Sequence, residues 1–74
     1  MNKILTQEVF KDAPEWVESV AVDEDSYLWG YAVGTLFLSI DDNGDTWIAN
    51  FGKSVCLGNE YDTTDWKRSA IDRE

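Results

Sequence analysis

Two short acidic runs carry most of the chemical potential in this chain: Asp23-Glu24-Asp25-Ser26 and Asp41-Asp42-Asn43-Gly44-Asp45. Clustered carboxylates can ligate a hard cation, share protons in an acid–base pair, or attract a positively charged partner. A calcium-binding EF-hand loop reads D-x-[DN]-x-[DN]-G-x5-E. Six residues past Gly44, where the closing Glu belongs, stands Asn50, so the loop fails on spacing and no metal is assigned. Asn43-Gly44 between two apolar runs is instead a strong hairpin signal. A type I′ turn needs positive φ at both central residues, which Asn and Gly tolerate.

Catalysis finds little to work with. The chain has no His, and so lacks the commonest general base. Its single Cys, Cys56, has no His to activate it. Within Val55-Cys56-Leu57 it reads as a small buried apolar residue. Paired carboxylates can hydrolyse glycosides, but a sheet of this size offers little room for a substrate cleft, and fifteen acidic residues make chance pairs inevitable. No Gly-rich phosphate loop and no Ser nucleophile elbow is present. The expectation is a protein that is not an enzyme and carries no cofactor.

The aromatic residues are the second conspicuous group. Trp29, Tyr31, Trp47 and Trp66 could stack bases, but single-strand binders pair such a platform with a basic groove. None exists in a chain with fifteen Asp and Glu against six Lys and Arg and a formal net charge of −9. The four rings are therefore read as core or oligomer interface, with a role as protein-binding anchors as the functional alternative.

The elements that must position these groups are strands. Leu36 to Ile40, Thr46 to Phe51 and Val55 to Leu57 are rich in β-formers, as are Val20 to Val22 and Tyr27 to Val33. Within the last of these, Tyr27, Trp29, Tyr31 and Val33 share one face, and Leu28 and Ala32 the other. Gly30 in mid-strand marks a bulge or a close approach. Pro14 favours a helical turn over residues 14–17 that drops Trp16 onto the sheet. Residues 1–12 leave strand and helical turn open. Near the C-terminus, Thr64 is placed to cap a short helix through Ile71, with an extended tail on the sheet as the rival. Together these predict a mainly β (α+β) single domain over residues 1–74. Its architecture is a four- to five-stranded antiparallel meander with one or two short helical segments. Such a sheet needs a cover, supplied by the terminal segments or by a second copy in a homodimer.

Length and charge narrow the class further. A domain of 74 residues buries only about 60% of its unfolded surface, and small domains usually add disulfides or a metal. One Cys forbids an intrachain disulfide, and one Cys without His forbids a conventional zinc site. The charge opposes direct contact with a nucleic-acid backbone or an anionic membrane and favours a basic partner or simply solubility. No signal-peptide pattern and no long apolar window is present, so the expected location is the cytoplasm. In a meander the two acidic runs fall at the same end of the sheet. Asp23, Glu24, Asp25, Asp41, Asp42 and Asp45 then form either two solvated turns or one cation-facing edge that could imitate a row of phosphates.

Three stretches carry a resemblance: "APEWVESVAVDEDSYLWGY", "NGDTWIANFGKS" and "DTTDWKRSAIDRE". Taken together, in order over residues 13–74, they resemble a loose group of short phage- and prophage-encoded proteins of uncharacterised function. The resemblance implies a bacterial cytoplasm during phage growth or in a prophage, and it transfers no catalytic residue. Ser26 stands where the group tends to have Gly, and Ala70 where it tends to have Leu. The expectation that results is an acidic accessory protein that binds, and inhibits, a host protein with a basic surface, such as a nucleic-acid-handling factor. The alternative is a small self-associating structural or ligand-sequestering module.

Overall fold

The computed structural model describes residues 3–74. Six short strands make two antiparallel sheets: β1 (Ser19–Val22), β2 (Leu28–Tyr31), β3 (Leu38–Ile40), β4 (Trp47–Ala49), β5 (Ser54–Gly58) and β6 (Ile71–Asp72). Single 3-10 turns at Gln7–Lys11, Thr35–Phe37 and Trp66–Arg68 are the helical content. The mainly β class with short helical pieces stands. The strands are not joined in simple sequence order, however. The larger sheet runs β5-β2-β1-β6, and β3 and β4 form a separate hairpin.

Alternation along the two central strands explains this arrangement. Val20, Val22 and Leu28 point to one face, where they pack with Phe10 and Val17. Ala21 and Tyr31 point to the other, where they pack with Val33 and Leu38. All four residues of β1 are buried, so both faces of the sheet must be covered. The N-terminal segment covers the first face through Leu5, Val9, Phe10, Ala13 and Trp16. The β3–β4 hairpin covers the second through Leu38, Trp47 and Ala49. The cover is thus internal to one chain on each side.

Several local expectations are refined. The Thr6 hydroxyl caps the first 3-10 turn by accepting from Glu8 N–H, which settles residues 7–11 as helical. The Val17 N–H donates to the Pro14 carbonyl at 3.1 Å, making the turn that Pro14 favours. The expected strand over 36–40 begins only at Leu38, after the 3-10 turn. The expected helix from Thr64 does not form. Asp65 takes a left-handed conformation (φ 65°), one 3-10 turn follows, and the chain then joins the sheet as β6. Ser69 fixes this path: its Oγ accepts from Val22 N–H at 2.8 Å and donates to Trp66 C=O at 2.7 Å, tying the 3-10 turn to β1. Those bonds hold the tail at the edge of β1.

The two acidic hairpin turns share one design. Ser26 N–H donates to Asp23 C=O, and Gly44 N–H donates to Asp41 C=O. In each case the fourth residue is left-handed, with φ 75° at Ser26 and 77° at Gly44. The second turn is therefore a hairpin turn as expected, but not type I′. Its centre is Asp42-Asn43, and only Gly44 has positive φ. The Asp41 carboxylate holds it by accepting from the N–H groups of Asn43 and Gly44, which leaves no need for a left-handed Asn43. At Ser26 the same backbone is adopted by a residue with a Cβ, at a cost of roughly 1–2 kcal/mol that a glycine would not incur.

Candidate functional site

The residues singled out in the sequence converge unequally. Asp23, Asp25, Trp29, Tyr31, Thr46 and Trp47 line one open cleft of about 410 Å³ between the hairpin and the main sheet. Beside it, Glu24, Asp25, Asp45 and Thr46 border a smaller depression of about 210 Å³. The two acidic turns therefore do meet at one end of the molecule. The reason is tertiary: Asp23 on the β1–β2 turn accepts a hydrogen bond from the backbone N–H of Trp47 on the hairpin, at 2.8 Å.

Trp47 is the pin between the sheets. Its N–H goes to Asp23, its C=O accepts from the Tyr31 hydroxyl at 3.3 Å, and its indole Nε1–H donates to the Trp66 carbonyl at 3.0 Å. The cleft walls are thereby fixed by bonds at both ends of one residue. Burial pushes the Tyr31 phenol up, and the Asp23 charge adds to that. The hydroxyl stays a donor across the neutral range.

Asp23 is only 5% exposed. Burial raises its carboxyl above the ordinary value of 3.8; the Trp47 N–H opposes that shift, and the neighbouring Asp25, Asp45 and Asp41 reinforce it. The linkage has a definite sign. A raised folded-state pKa stabilises the fold fully below 3.8, and that contribution is lost as pH rises through the folded-state value. At neutral pH the ionised Asp23 is thus a burden carried for its hydrogen bond. Asp23→Asn keeps an oxygen for Trp47 N–H and removes the charge. It is expected to be at least as stable as the parent at pH 7 and to lose part of the parent's gain on acidification toward 3.8. Asp23→Ala is expected to lose about 1–3 kcal/mol. Urea titrations of the three proteins across this pH window measure the difference.

The remaining predicted residues take other roles. Asp25 Oδ1 accepts from Tyr27 N–H, and Asp41 is occupied in its own turn. Asp42 and Asp45 are exposed. Tyr31 is 3% exposed and sits in the core, as the reading of the rings as core expects, and the alternative of a protein-binding anchor does not apply to it: it forms the floor shared by the cleft and the core. Trp66 is not in the cleft and acts through its carbonyl. Cys56 is exposed, not buried. Alternation on β5 turns Val55 and Leu57 to the core and Cys56 outward. Sequence reasoning missed the exposed apolar group on and beside the hairpin, with Leu36 at 85% and Phe51 at 57% exposure and Phe37 and Ile48 also open. Phe37 and Phe51 meet edge to face, with ring centroids 5.1 Å apart. The signal for Ile48 was present, since alternation from the buried Leu38 and the partly buried Ala49 sends it outward.

Among the described residues no basic side chain is bonded to the acidic groups at this end. Among the described residues the one ion pair joins Lys11 and Glu8 at 3.7 Å, both largely exposed. Four of the six cations lie instead over aromatic rings: Lys3 over Tyr61, Lys53 over Trp16, Lys67 over Trp66 and Arg73 over Phe10. No group of three or more acidic or Cys side chains among the described residues is arranged to hold a metal ion. Among the described residues no helix is long and apolar enough to cross a membrane. Comparison with protein families, with curated proteins and with solved structures finds no match to this chain.

Proposed function

We propose that this chain is a non-enzymatic acidic accessory protein of phage or prophage origin. It acts in the bacterial cytoplasm by binding, and inhibiting, a host protein with a basic surface. A nucleic-acid-handling factor is the most concrete target, engaged by carboxylates that stand in for phosphates. The observation that carries this proposal is the meeting of Asp23, Asp25, Asp41 and Asp45 within one electrostatic neighbourhood, with five of the molecule's six cations engaged elsewhere. Unneutralised charge of one sign concentrated at one end steers a partner of the other sign and suppresses wrong ones.

The test is capture from a bacterial lysate with the tagged protein and with a variant carrying Asp42→Lys and Asp45→Lys, the two exposed carboxylates of the second turn. The parent is expected to recover a basic DNA- or RNA-handling protein at low salt and to lose it at high salt. The variant is expected to lose the same protein with its fold intact by circular dichroism. Undiminished capture by the variant removes the electrostatic mechanism.

A second reading, a self-associating module, is favoured by the exposed Leu36, Phe37, Ile48 and Phe51. Contiguous apolar groups of this kind mark interaction surfaces. A concentration-dependent dimer in sedimentation equilibrium, abolished by Phe51→Glu, would support it over the first.

A further inference from the structure

The cleft beside Trp47 combines ring surface with an incompletely bonded carboxylate. Asp23 is 95% withdrawn from solvent, and its Oδ1 is engaged by Trp47 N–H. Its Oδ2 makes no hydrogen bond among the described residues, and the residue forms part of the cleft wall. Asp25 lies on the same wall. Trp29 and Trp47, both half-buried, give the site its aromatic surface, and Thr46, Ile48, Ala49, Gly52 and Ser54 complete the lining around the Tyr31 floor. The indole N–H of Trp47 is already bonded to the Trp66 carbonyl, so this side chain offers the cleft π surface. No Lys or Arg lines the cleft.

A site with indole walls and a mostly buried carboxylate whose second oxygen stays accessible favours a cation that is flat and weakly hydrated. Guanidinium fits this description better than ammonium. It stacks on indole and phenol rings and presents a fork of donors to a carboxylate, whereas ammonium is compact and strongly hydrated. The volume of about 410 Å³ lies at the low end of the roughly 300–1,000 Å³ of ligand pockets, enough for one long side chain. We infer that the cleft seats the guanidinium of one arginine side chain presented by the basic protein partner, between Trp29 and Trp47 and against Asp23 and Asp25. This rests on the partner-binding function proposed above and names the feature of the partner that is recognised.

The test uses the full chain labelled with nitrogen-15 and titrated with N-acetyl-arginine methylamide, with the lysine and norleucine counterparts as comparisons. The indole Nε1–H signals of Trp29 and Trp47 are expected to move saturably with the arginine probe and less with lysine. The signals of Trp16 and Trp66, which lie outside the cleft, should stay in place. Asp23→Asn with Asp25→Asn should weaken the response about tenfold or more, while the amide spectrum reports an intact fold. Absence of a saturable shift, equal movement of all four indoles, or an equal response to lysine overturns the assignment. Lysate capture separates it from the broader proposal. Capture lost on reversal of Asp42 and Asp45 but kept by the Asp23/Asp25 variant overturns the arginine seat and leaves host binding standing. A saturable arginine response with no basic protein captured upholds the chemistry of the cleft and removes the host-protein reading.

Discussion

Replacing Arg73 with alanine is expected to destabilise the protein by about 2–4 kcal/mol, the largest loss from any single truncation outside the core. The guanidinium ties four backbone carbonyls of the N-terminal layer. Nη1 donates to Pro14, Glu15 and Val17 at 3.1, 3.3 and 2.9 Å, and Nη2 donates to Phe10 at 3.0 Å. It also lies over the Phe10 ring, 5.4 Å from its centroid. Without it those carbonyls lose their charged donor, and the cover over Val20, Val22 and Leu28 loosens. A 74-residue domain has a total stability on the order of 4–11 kcal/mol, so the loss is a large fraction of the whole. Thermal unfolding should move down by roughly 4–8 °C per kcal/mol. Arg73→Lys should rescue only part of this, because an ammonium group cannot reproduce the planar fork. A melting temperature within a degree or two of the parent for Arg73→Ala would show that the carbonyls are satisfied equally well by water.

Gly30→Ala should be damaging for the opposite reason, excess volume. A Cβ at Gly30 would lie 2.9 Å from Val17 Cγ1, 3.0 Å from Leu57 Cδ1 and 3.1 Å from Val17 Cγ2. Val17 is fully buried, and its branched side chain has no free rotamer to retreat into. Overpacking of this kind costs about 1–3 kcal/mol. The strain should show as a lower denaturant midpoint with an unchanged slope. A compensating Val17→Ala should recover part of the loss, because the two changes share one space. If the pair adds without coupling, the close approach is not what requires glycine here.

These two residues also show what could be read in advance. Gly30 was legible as a close approach or a bulge, because a glycine inside a β-forming run has few other uses. The sheet does shift register nearby, between Leu28 and Trp29 against β5. The two faces of β2 were legible from alternation alone, as were the hairpin turn around Asn43-Gly44 and the turn begun by Pro14. Arg73 was not. It lies beyond Ile71, where the expected short helix ends, and nothing local reveals that it reaches carbonyls 56 to 63 residues away. The pairing of β5 with β2, and of β6 with β1, is non-local in the same sense. Short strands specify their faces, whereas their partners are chosen by which layers can be closed over them.

The candidate site divides along the same line. That the acidic turns share an end was foreseen from a sequential strand order, and they do, but by a different route. The carboxylate that opens the second turn, Asp41, bonds within its own loop, while its counterpart Asp23 leaves the first turn to hold Trp47. Both are Asp at the start of a four-residue turn, so their types cannot tell them apart. The difference arises from the hairpin packed against one of them. The exposed Phe37–Phe51 pair was hidden by the same ambiguity, since aromatic residues in a small chain are read as core by default.

The β3–β4 hairpin belongs to neither edge of the larger sheet, and its attachment to that sheet passes through side chains clustered at Trp47. A two-stranded ribbon is marginal by itself, so its amides should exchange with solvent through a shared local opening well below the free energy that protects β1. Each such opening would have to break the three hydrogen bonds made by Trp47 and would carry one wall of the cleft with it. An occupant that gripped both walls would then be felt first as a slowing of that motion.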